Sequence, residues 1–471
     1  MNQYDFIIIG SGPGGYIAAI RAAQLGYTVA IIEKEQTLGG VCLNWGCIPT
    51  KSLLKSAEMY HIIKKASSFG LTVKSLGYDL NKIVQRSRKV VDKLSSGISS
   101  LMKKHNIAVY YGTAQLYDKK LIKVICNNNS INLSARHIVI ATGSRAKNLP
   151  HISYNHENIW SAKSAMMPKT LPKSLLIIGT GAIGIEFASF YNTLGSNVSI
   201  IELQNNILPL EDHDISKTIQ KILANYGVNI YTNSSVIELN QHNDIIKVKI
   251  LTNTQKTTII ECEKVILAVG VQPNTEGLGI ENTNINTDKS GFIITDKYCK
   301  TNEPNVYAIG DVAGPPCLAH KASHEAVICI EKIASDEKKL NKNIHPLIKN
   351  NIPSCIYSVP QIASIGLTEV QAKEKGLDIK VGKFFANCNG KAIASDETEG
   401  FIKVIFDKTT GELLGAHMIG TEVTEMINGY AISKQLEATD LDIISTIFPH
   451  PTLSEMMHEA VLSANNESLN S

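Results

Sequence analysis

The pattern Gly-x-Gly-x-x-Gly occurs twice in this chain, at Gly10, Gly12 and Gly15 and again at Gly179, Gly181 and Gly184. Each copy sits in the same frame. A strand-like run precedes it, Asp5–Ile9 in the first copy and Leu175–Ile178 in the second. Helical stretches follow, Tyr16–Leu25 stopped by Gly26 and Phe187–Leu194 stopped by Gly195. A second strand-like run then ends on an acid: Thr28–Ile32 before Glu33, and Val198–Ile201 before Glu202. Both acids fall 23 residues after the first glycine. In such a unit the glycines admit a tight turn and a close backbone approach to a pyrophosphate. The helix N-terminus faces the phosphate charge, and the acid accepts hydrogen bonds from ribose hydroxyls. A single copy is a weak signal, since it can be a plain glycine turn. Two copies with one offset predict two dinucleotide sites, and so electron transfer between two bound nucleotides.

Ile138–Gly143 and Val265–Gly270 read as strands ending in glycine turns, and each closes one nucleotide unit. A chain of 471 residues has room for about three domains. The expected fold is α/β: two Rossmann-like dinucleotide-binding domains, residues 1–150 and 151–275, and an α+β interface (dimerisation) domain over 346–471, with 276–345 completing the first site. Residues 151–173 and 330–350 read as connectors, and the tail beyond Ser463 as frayed. With 46 basic and 43 acidic side chains, net +3, the chain has no basic footprint for nucleic acid or an anionic membrane. Only five of the 46 cations are Arg. Ser174–Gly195 is 22 residues long with Glu186 as its one charge, but three glycines break it, so strand, turn and helix explain it better than a membrane span. No cationic leader opens the chain, and nine cysteines are too few and too odd for a disulfide scaffold. A soluble, cytoplasmic protein is expected, in which any disulfide is a working one.

The segment Gly39–Lys51 follows the first unit and holds Cys42 and Cys47, five positions apart. On a regular helix the Cα atoms of such a pair stand roughly 8.7 Å apart, beyond the ~7 Å that a disulfide tolerates. A Cys42–Cys47 bridge therefore needs a bend, with Gly46 and Pro49 as the residues to permit it, and would be reducible. The alternative is a pair of buried free thiols, the usual fate of intracellular cysteine. A helix N-terminus nearby would favour a thiolate, and the two flanking nucleotide units favour the redox reading. Cys126, Cys262, Cys299, Cys317, Cys329, Cys355 and Cys388 have no metal-ligand spacing and read as inert, and no metal is expected. Lys51 and Glu186 on separate helices would ordinarily be solvated, yet a charge inside the apolar run at Glu186 needs a cation. His450 stands before Pro451, which suits the first turn of a helix. Glu455 follows about one turn later, a base-plus-orienter arrangement. His320 and His324, in a helix expected after Gly314, read as structural.

In order along the chain these motifs resemble the flavin-dependent pyridine nucleotide–disulfide oxidoreductases, a family that includes glutathione reductase and mercuric reductase. The resemblance covers about residues 4 to 460. It also rests on Ala141-Thr142-Gly143, Tyr307-Ala308-Ile309-Gly310-Asp311, Ala319-His320-Lys321-Ala322 and the run from His450 to Glu455. It implies FAD on the first unit and the nicotinamide dinucleotide on the second. It implies a redox disulfide at Cys42 and Cys47, and Lys51 beside the flavin, paired with Glu186, to stabilise negative charge there. Asp311 would bind the ribityl chain, and backbone at Ala114, Thr142, Gly143, Ser144 and Ala319 would line the FAD. His450, oriented by Glu455, would reach the disulfide of the other subunit of a homodimer. Many members that act on dihydrolipoyl groups carry another His where this chain has Phe448.

Glu202 selects the nucleotide, since an acid there bonds the 2′-hydroxyl of NAD and repels the 2′-phosphate of NADP. Residues 202–215 contain no Arg or Lys to grip that phosphate, so NAD is expected. The last cysteine is Cys388, so the C-terminal thiol pair of the large thioredoxin reductases is missing. What the resemblance leaves is a dehydrogenase that reoxidises dihydrolipoyl groups. Its partners would be the lipoyl domains of a 2-oxo acid dehydrogenase acyltransferase, or the carrier protein of glycine cleavage. The alternatives are a glutathione-reductase-like disulfide reductase and a non-catalytic flavoprotein subunit.

Overall fold

The computed structural model describes residues 2–118, 120–126, 129–252, 254 and 256–470. The chain divides into two compact units, Met1–Ser52 with Asn81–Lys147 and Gly270–Leu347, and Leu53–Leu80 with Asn148–Val269 and Ile348–Ser471.

The first unit is built on a seven-stranded sheet. Its strands are β1 (Asn2–Ile9), β2 (Val29–Glu33), β3 (Ala108–Tyr111), β4 (Thr113–Leu116), β5 (Leu121–Cys126) and β6 (Asn129–Ile140), ordered β3-β2-β1-β6-β5-β4, with Val306–Ala308 also paired to β6. β3, β2, β1, β6 and Val306–Ala308 run parallel, while β4 and β5 run antiparallel. A parallel sheet covered on both faces calls for continuous apolar runs rather than alternation, and Phe6 to Ile9 are all buried. Helix α1 (Pro13–Gln24) crosses from β1 to β2. Two helices carry the cysteine segment, α2 (Gly40–Trp45) and α3 (Cys47–Lys64), and α4 (Leu80–Lys104) follows them. The buried residues of α4 are Ser87, Val91, Ser95, Ile98 and Met102, a single stripe at helical spacing.

In the second unit the parallel sheet runs Asn229–Tyr231, Asn197–Ile201, Ser174–Ile178, Lys264–Leu267, Ile159–Trp160, with a three-stranded antiparallel sheet beside it in sequence. Residues from 354 onward form a five-stranded antiparallel sheet, with Gln361–Gly366, Leu413–Gly420 and Phe401–Asp407 at its centre. Helices Val423–Gln435 and Glu455–Ala464 contribute Ile427, Tyr430, Met456, Ala460 and Val461 to its core. The architecture is thus α/β with an α+β domain at the C-terminal end. No helix among the described residues is long and apolar enough to cross a membrane.

Three sequence expectations need correction. Residues 330–350 are not all connector, because the helix Ala319–Asp336 continues through Cys329, Ile330 and Ile333, which stay buried against the first core. Residues 151–173 supply a strand, Ile159–Trp160, paired to Lys264–Leu267. The tail does not fray, because Glu459 takes it up: its carboxylate accepts from Ser468 Oγ (2.9 Å), Leu469 N (3.1 Å) and Asn470 Nδ2 (2.6 Å). Ser471 lies outside the described residues.

A buried charge cluster ties the second nucleotide unit to the C-terminal sheet. Lys403, 3% exposed, reaches Asp212 (2.8 Å), Asp214 (3.0 Å) and Glu369 (2.7 Å). Burial alone would raise Asp212 and Asp214, but Lys403 holds both below the usual carboxylate range, and Lys373 and Lys403 do the same for Glu369. Burial opposes the charge on Lys403 in turn, and the carboxylates hold its pKa above the ordinary lysine value. Removing one partner of a buried ion pair strands the others, at about 3–5 kcal/mol. Lys403→Met should therefore lose about that much stability at pH 7 by denaturant unfolding. The sign with pH follows from the lowered carboxyls. Their contribution is present above the unfolded values near ~4 and lost as pH falls through the folded ones. The gap between wild type and Lys403→Met should then narrow below about pH 4, and a gap that widens there would contradict the assignment.

Candidate active site

The two glycine cradles match atom for atom. Glu33 Oε2 accepts from Ser11 N (2.9 Å) and Ser11 Oγ (2.6 Å), and Oε1 accepts from Glu35 N (2.9 Å). Glu202 does the same with Thr180 N (3.1 Å), Thr180 Oγ1 (2.6 Å) and Gln204 N (2.9 Å). Gly10 and Gly179 hold φ of +102° and +96°, and a Cβ on either would stand 2.4 Å from a carbonyl oxygen, that of Ala141 or Ala268. Those two residues pair back to the central strands through Ala141 N to Ile9 O and Ala268 N to Ile178 O, both at 2.8 Å. At Gly12 and Gly181 nothing lies within 4 Å of a Cβ position. The space lies at the mouth of a helix whose first amide groups lack intrahelical partners, which suits a pyrophosphate.

The first cradle leads directly into the cysteine segment. Gly39 N donates to Ser11 O (3.0 Å) and lies 3.1 Å from Ser11 Oγ. α2 then ends at Gly46, whose φ of −142° and ψ of −117° break the helix before α3 opens on Cys47. A Cβ on Gly46 would stand 3.0 Å from Val41 O and 3.1 Å from Cys42 Cα, so any larger residue would push the chain a few tenths of an ångström off Cys42. Gly46 makes the expected bend by itself. Pro49 sits inside the first turn of α3, where a missing N–H costs nothing. Both cysteines are thiols here and are hydrogen-bonded to each other. That contact with Cys47, added to burial, pushes the Cys42 thiol far above its ordinary range.

α4 grips this segment at three points that sequence reading missed. Ser95 Oγ donates to Leu38 O (3.0 Å), Arg88 to Asn44 O (2.8 Å), and Arg86 to Ser52 O (3.1 Å) and Oγ (2.8 Å). Arg88 also lies over the Trp45 ring, 5.2 Å from its centroid. The signal was available as two arginines within three residues of an amphipathic helix in an arginine-poor chain.

The residues expected to line the flavin also lie in the first unit. Ala114 is buried on β4. Thr142 Oγ1 donates to Asn274 O (2.8 Å), Asn274 Nδ2 to Thr142 O (2.9 Å), and Asn274 N to Gly143 O (3.0 Å). Ser144 Oγ donates to Asp311 (2.7 Å), whose carboxyl is raised by burial and only partly offset by Ser144 and Lys321. Ala319 opens its helix two residues before Lys321, another residue that the sequence reading did not assign. Buried Lys321 pairs with Glu325 (3.1 Å) and donates to Gly310 O (3.2 Å) and Gly314 O (2.9 Å), which fixes the loop bearing Asp311. Gly270 follows the strand Lys264–Leu267, and its carbonyl accepts from Lys147 N (3.1 Å). Burial pushes the Cys262 thiol up to about 12 and Cys317 up to about 11, so neither is a thiolate at neutral pH. His320 and His324 are exposed on their helix and have no place in a core.

In the second unit Glu186 is 5% exposed on the helix Ala182–Leu194, and its Oε1 accepts from Tyr357 N (3.0 Å). Lys51, on α3, belongs to the first unit. His450 Nδ1 lies 2.9 Å from Glu455 Oε1, and Glu455 Oε2 accepts from Thr452 N (2.8 Å). Burial by itself would raise Glu455, but the Thr452 amide and His450 hold it below the usual carboxylate range. The helix that Pro451 was expected to open begins four residues later, at Glu455. Glu455 uses both oxygens on the preceding turn, which keeps residues 450–454 out of the helix. Phe448 fills the position of the missing His by packing on the His458 ring, 5.3 Å between centroids.

This arrangement, two dinucleotide cradles with a thiol pair fastened to one of them, defines a flavin- and nicotinamide-dependent disulfide oxidoreductase. The family model for pyridine nucleotide-disulphide oxidoreductase matches residues 4–326, and that for the family's dimerisation domain matches residues 352–461. The chain belongs to this family. It is 47% identical over 469 residues to the dihydrolipoyl dehydrogenase of Zymomonas mobilis, covering 99% of each chain. It is 47% identical over 485 residues to that of Rhizobium etli, covering 100% of this chain and 99% of the other. Among solved structures it matches LpdA from Mycobacterium tuberculosis with a TM-score of 0.89 at 23% identity, covering 98% of this chain and 99% of that one. It matches the Cu(II) complex of the HOCl-induced flavoprotein disulfide reductase RclA from Escherichia coli at 0.87 and 28%, with the same coverage.

FAD and NAD are the cofactors, and the two cradles fit them. Each offers an open approach at its middle glycine and a carboxylate already oriented by two backbone amides and a hydroxyl. At Glu202 a 2′-phosphate would meet that carboxylate. NAD should therefore be preferred to NADP by at least about a hundredfold in kcat/KM, about 3 kcal/mol. Steady-state rates with the two nucleotides check this, and equal values would overturn the role of Glu202.

Proposed function

We propose that this chain is the dihydrolipoyl dehydrogenase of a 2-oxo acid dehydrogenase or glycine-cleavage system. It would act as a homodimer on dihydrolipoyl groups carried by lipoyl domains and pass their electrons to NAD⁺. The observation that carries the reading is the thiol pair, folded together across Gly46 in a segment whose Gly39 N–H donates to Ser11 O of the cradle. The dihydrolipoyl dehydrogenases that match nearly end to end support it.

In the oxidised enzyme Cys42 and Cys47 form the disulfide. His450, with Nδ1 engaged by Glu455, has Nε2 left to take the proton of one substrate thiol. The resulting thiolate attacks Cys42 Sγ, and the S–S bond breaks to leave Cys47 as a thiolate. The second substrate thiol then attacks the mixed disulfide. This releases the cyclic disulfide, and its proton ends on Cys42. Cys42, the less exposed of the two, suits the residue that keeps a proton. Cys47, at the positive end of the α3 dipole, suits the thiolate. FAD, held at the Gly10–Gly15 cradle, would supply the acceptor for the electron pair of the dithiol and the hydride donor for NAD⁺. Lys51 would stabilise negative charge at the flavin. His450 is 78% exposed on its own chain, which suits a base that serves a partner subunit.

Cys47→Ser tests this. The variant should keep FAD, lose the long-wavelength absorption of a thiolate against the flavin, and lose NADH formation from dihydrolipoamide by at least about 10³-fold. A variant with full turnover would refute the disulfide mechanism. Wild-type enzyme that reduces glutathione disulfide with NADPH, and ignores dihydrolipoamide, would replace the substrate assignment.

A further inference from the structure

We propose that Asn389 is a positioning residue for His450. Asn389 is 5% exposed and works at both ends of its amide. Its Oδ1 accepts from Ala392 N (2.9 Å) and caps the short helix Gly390–Ala394. Its Nδ2 donates to Thr452 O (3.1 Å). Thr452 is the hub of the His450 turn: its Oγ1 donates to Pro449 O (2.7 Å) and its N–H to Glu455 Oε2 (2.8 Å). The other oxygen of Glu455 holds His450 Nδ1 at 2.9 Å. The amide of Asn389 thus fixes the one residue whose backbone N–H fixes the carboxylate that orients the imidazole.

The imidazole needs such support. Its ring is 78% exposed, so little packing sets its direction on this chain, and the hydrogen-bonded turn beneath it must do so. A shift of about 1 Å in a catalytic group costs on the order of a hundredfold in rate. The cap and the positioning bond are chemically separable. Capping uses only the acceptor Oδ1, which aspartate supplies as well as asparagine does. The bond to Thr452 O needs the N–H of the amide, and a carboxylate would turn lone pairs toward that carbonyl.

The test rests on the dihydrolipoyl reading above and uses the holoenzyme. Asn389→Asp should stay folded with FAD bound, with a thermal midpoint lowered by the buried carboxylate that faces the Thr452 carbonyl. Its kcat for dihydrolipoamide oxidation should fall about tenfold or more, with KM little changed. Electron transfer from NADH to ferricyanide, which needs neither disulfide exchange nor His450, should be untouched. The NMR resonances of the His450 imidazole should move. Asn389→Ala, which loses the cap as well, should lose both stability and kcat. Asn389→Asp with wild-type kcat and unmoved imidazole resonances would overturn the proposal, as would a parallel fall in ferricyanide reduction. Should wild type pass electrons to ferricyanide but not oxidise dihydrolipoamide, the substrate reading fails instead. The imidazole resonances of Asn389→Asp then decide the role of Asn389 alone.

Discussion

The buried carboxylate at the end of β2 organises the first unit. Glu33 collects Ser11 N, Ser11 Oγ and Glu35 N, so its charge is balanced by fixed donors. Unpaired, a buried carboxylate would cost several kcal/mol. Ser11 is thereby pinned, and Ser11 in turn holds Gly39 through its carbonyl (3.0 Å). Three residues later comes Cys42. Glu33 and the cysteine segment are therefore joined through two hydrogen-bonded residues, Ser11 and Gly39. The chemistry is fastened to the cofactor cradle rather than placed beside it on a free loop.

Comparison of the two copies shows where function enters. Thr180 O accepts from Leu208 N at 3.1 Å as Ser11 O accepts from Gly39 N, so the copies agree through the same offset after the cradle. Beyond that point they part. The first runs into α2 and the cysteines. The second turns through Glu211 to Asp212, which caps the helix His213–Asn225 and meets buried Lys403 of the C-terminal sheet. One duplicated frame ends in a redox segment in one copy and in a structural ion cluster in the other. Among the described residues, the thiol pair follows the first cradle and has no counterpart after the second.

The duplicated cradles were legible because their glycines and acids act locally, through spacing alone. The redox bend was legible for the same reason, since Gly46 does its work within one turn of Cys42. What stayed hidden depends on contacts distant in sequence. α4 bears no motif, yet Ser95, Arg88 and Arg86 hold the segment from Leu38 to Ser52. Lys321 looks like any helical lysine until Gly310 and Gly314 are brought over it. Asn389 is 63 residues from the carbonyl it holds. The tail looked frayed because nothing local could hold it, and the carboxylate that does so, Glu459, lies inside the preceding helix.

The arginines show how a site selects a side chain against the drift of composition. Lysine supplies nearly every cation in this chain, and the five arginines, at 21, 86, 88, 136 and 145, all fall in the first unit. Several of them bind more than one acceptor at once. Arg21 presents Nε and Nη2 to one oxygen of Glu331 (3.1 and 2.7 Å) and Nη1 to Gln24 Oε1 (3.2 Å), Arg86 takes both oxygens of Ser52, and Arg145 spans Pro273 O (3.0 Å), Asn274 Oδ1 (3.1 Å) and Glu276 (2.6 Å). A planar fork sets the direction of each bond it makes, whereas an ammonium such as that of Lys403 gathers several carboxylates without fixing their planes. The second unit, which uses no arginine, builds even its most buried ion cluster on a lysine. A phosphate monoester is the ligand that a guanidinium fork binds best. The second unit has no such fork and offers an oriented carboxylate at Glu202 instead, which is chemistry suited to a free ribose hydroxyl rather than to a 2′-phosphate.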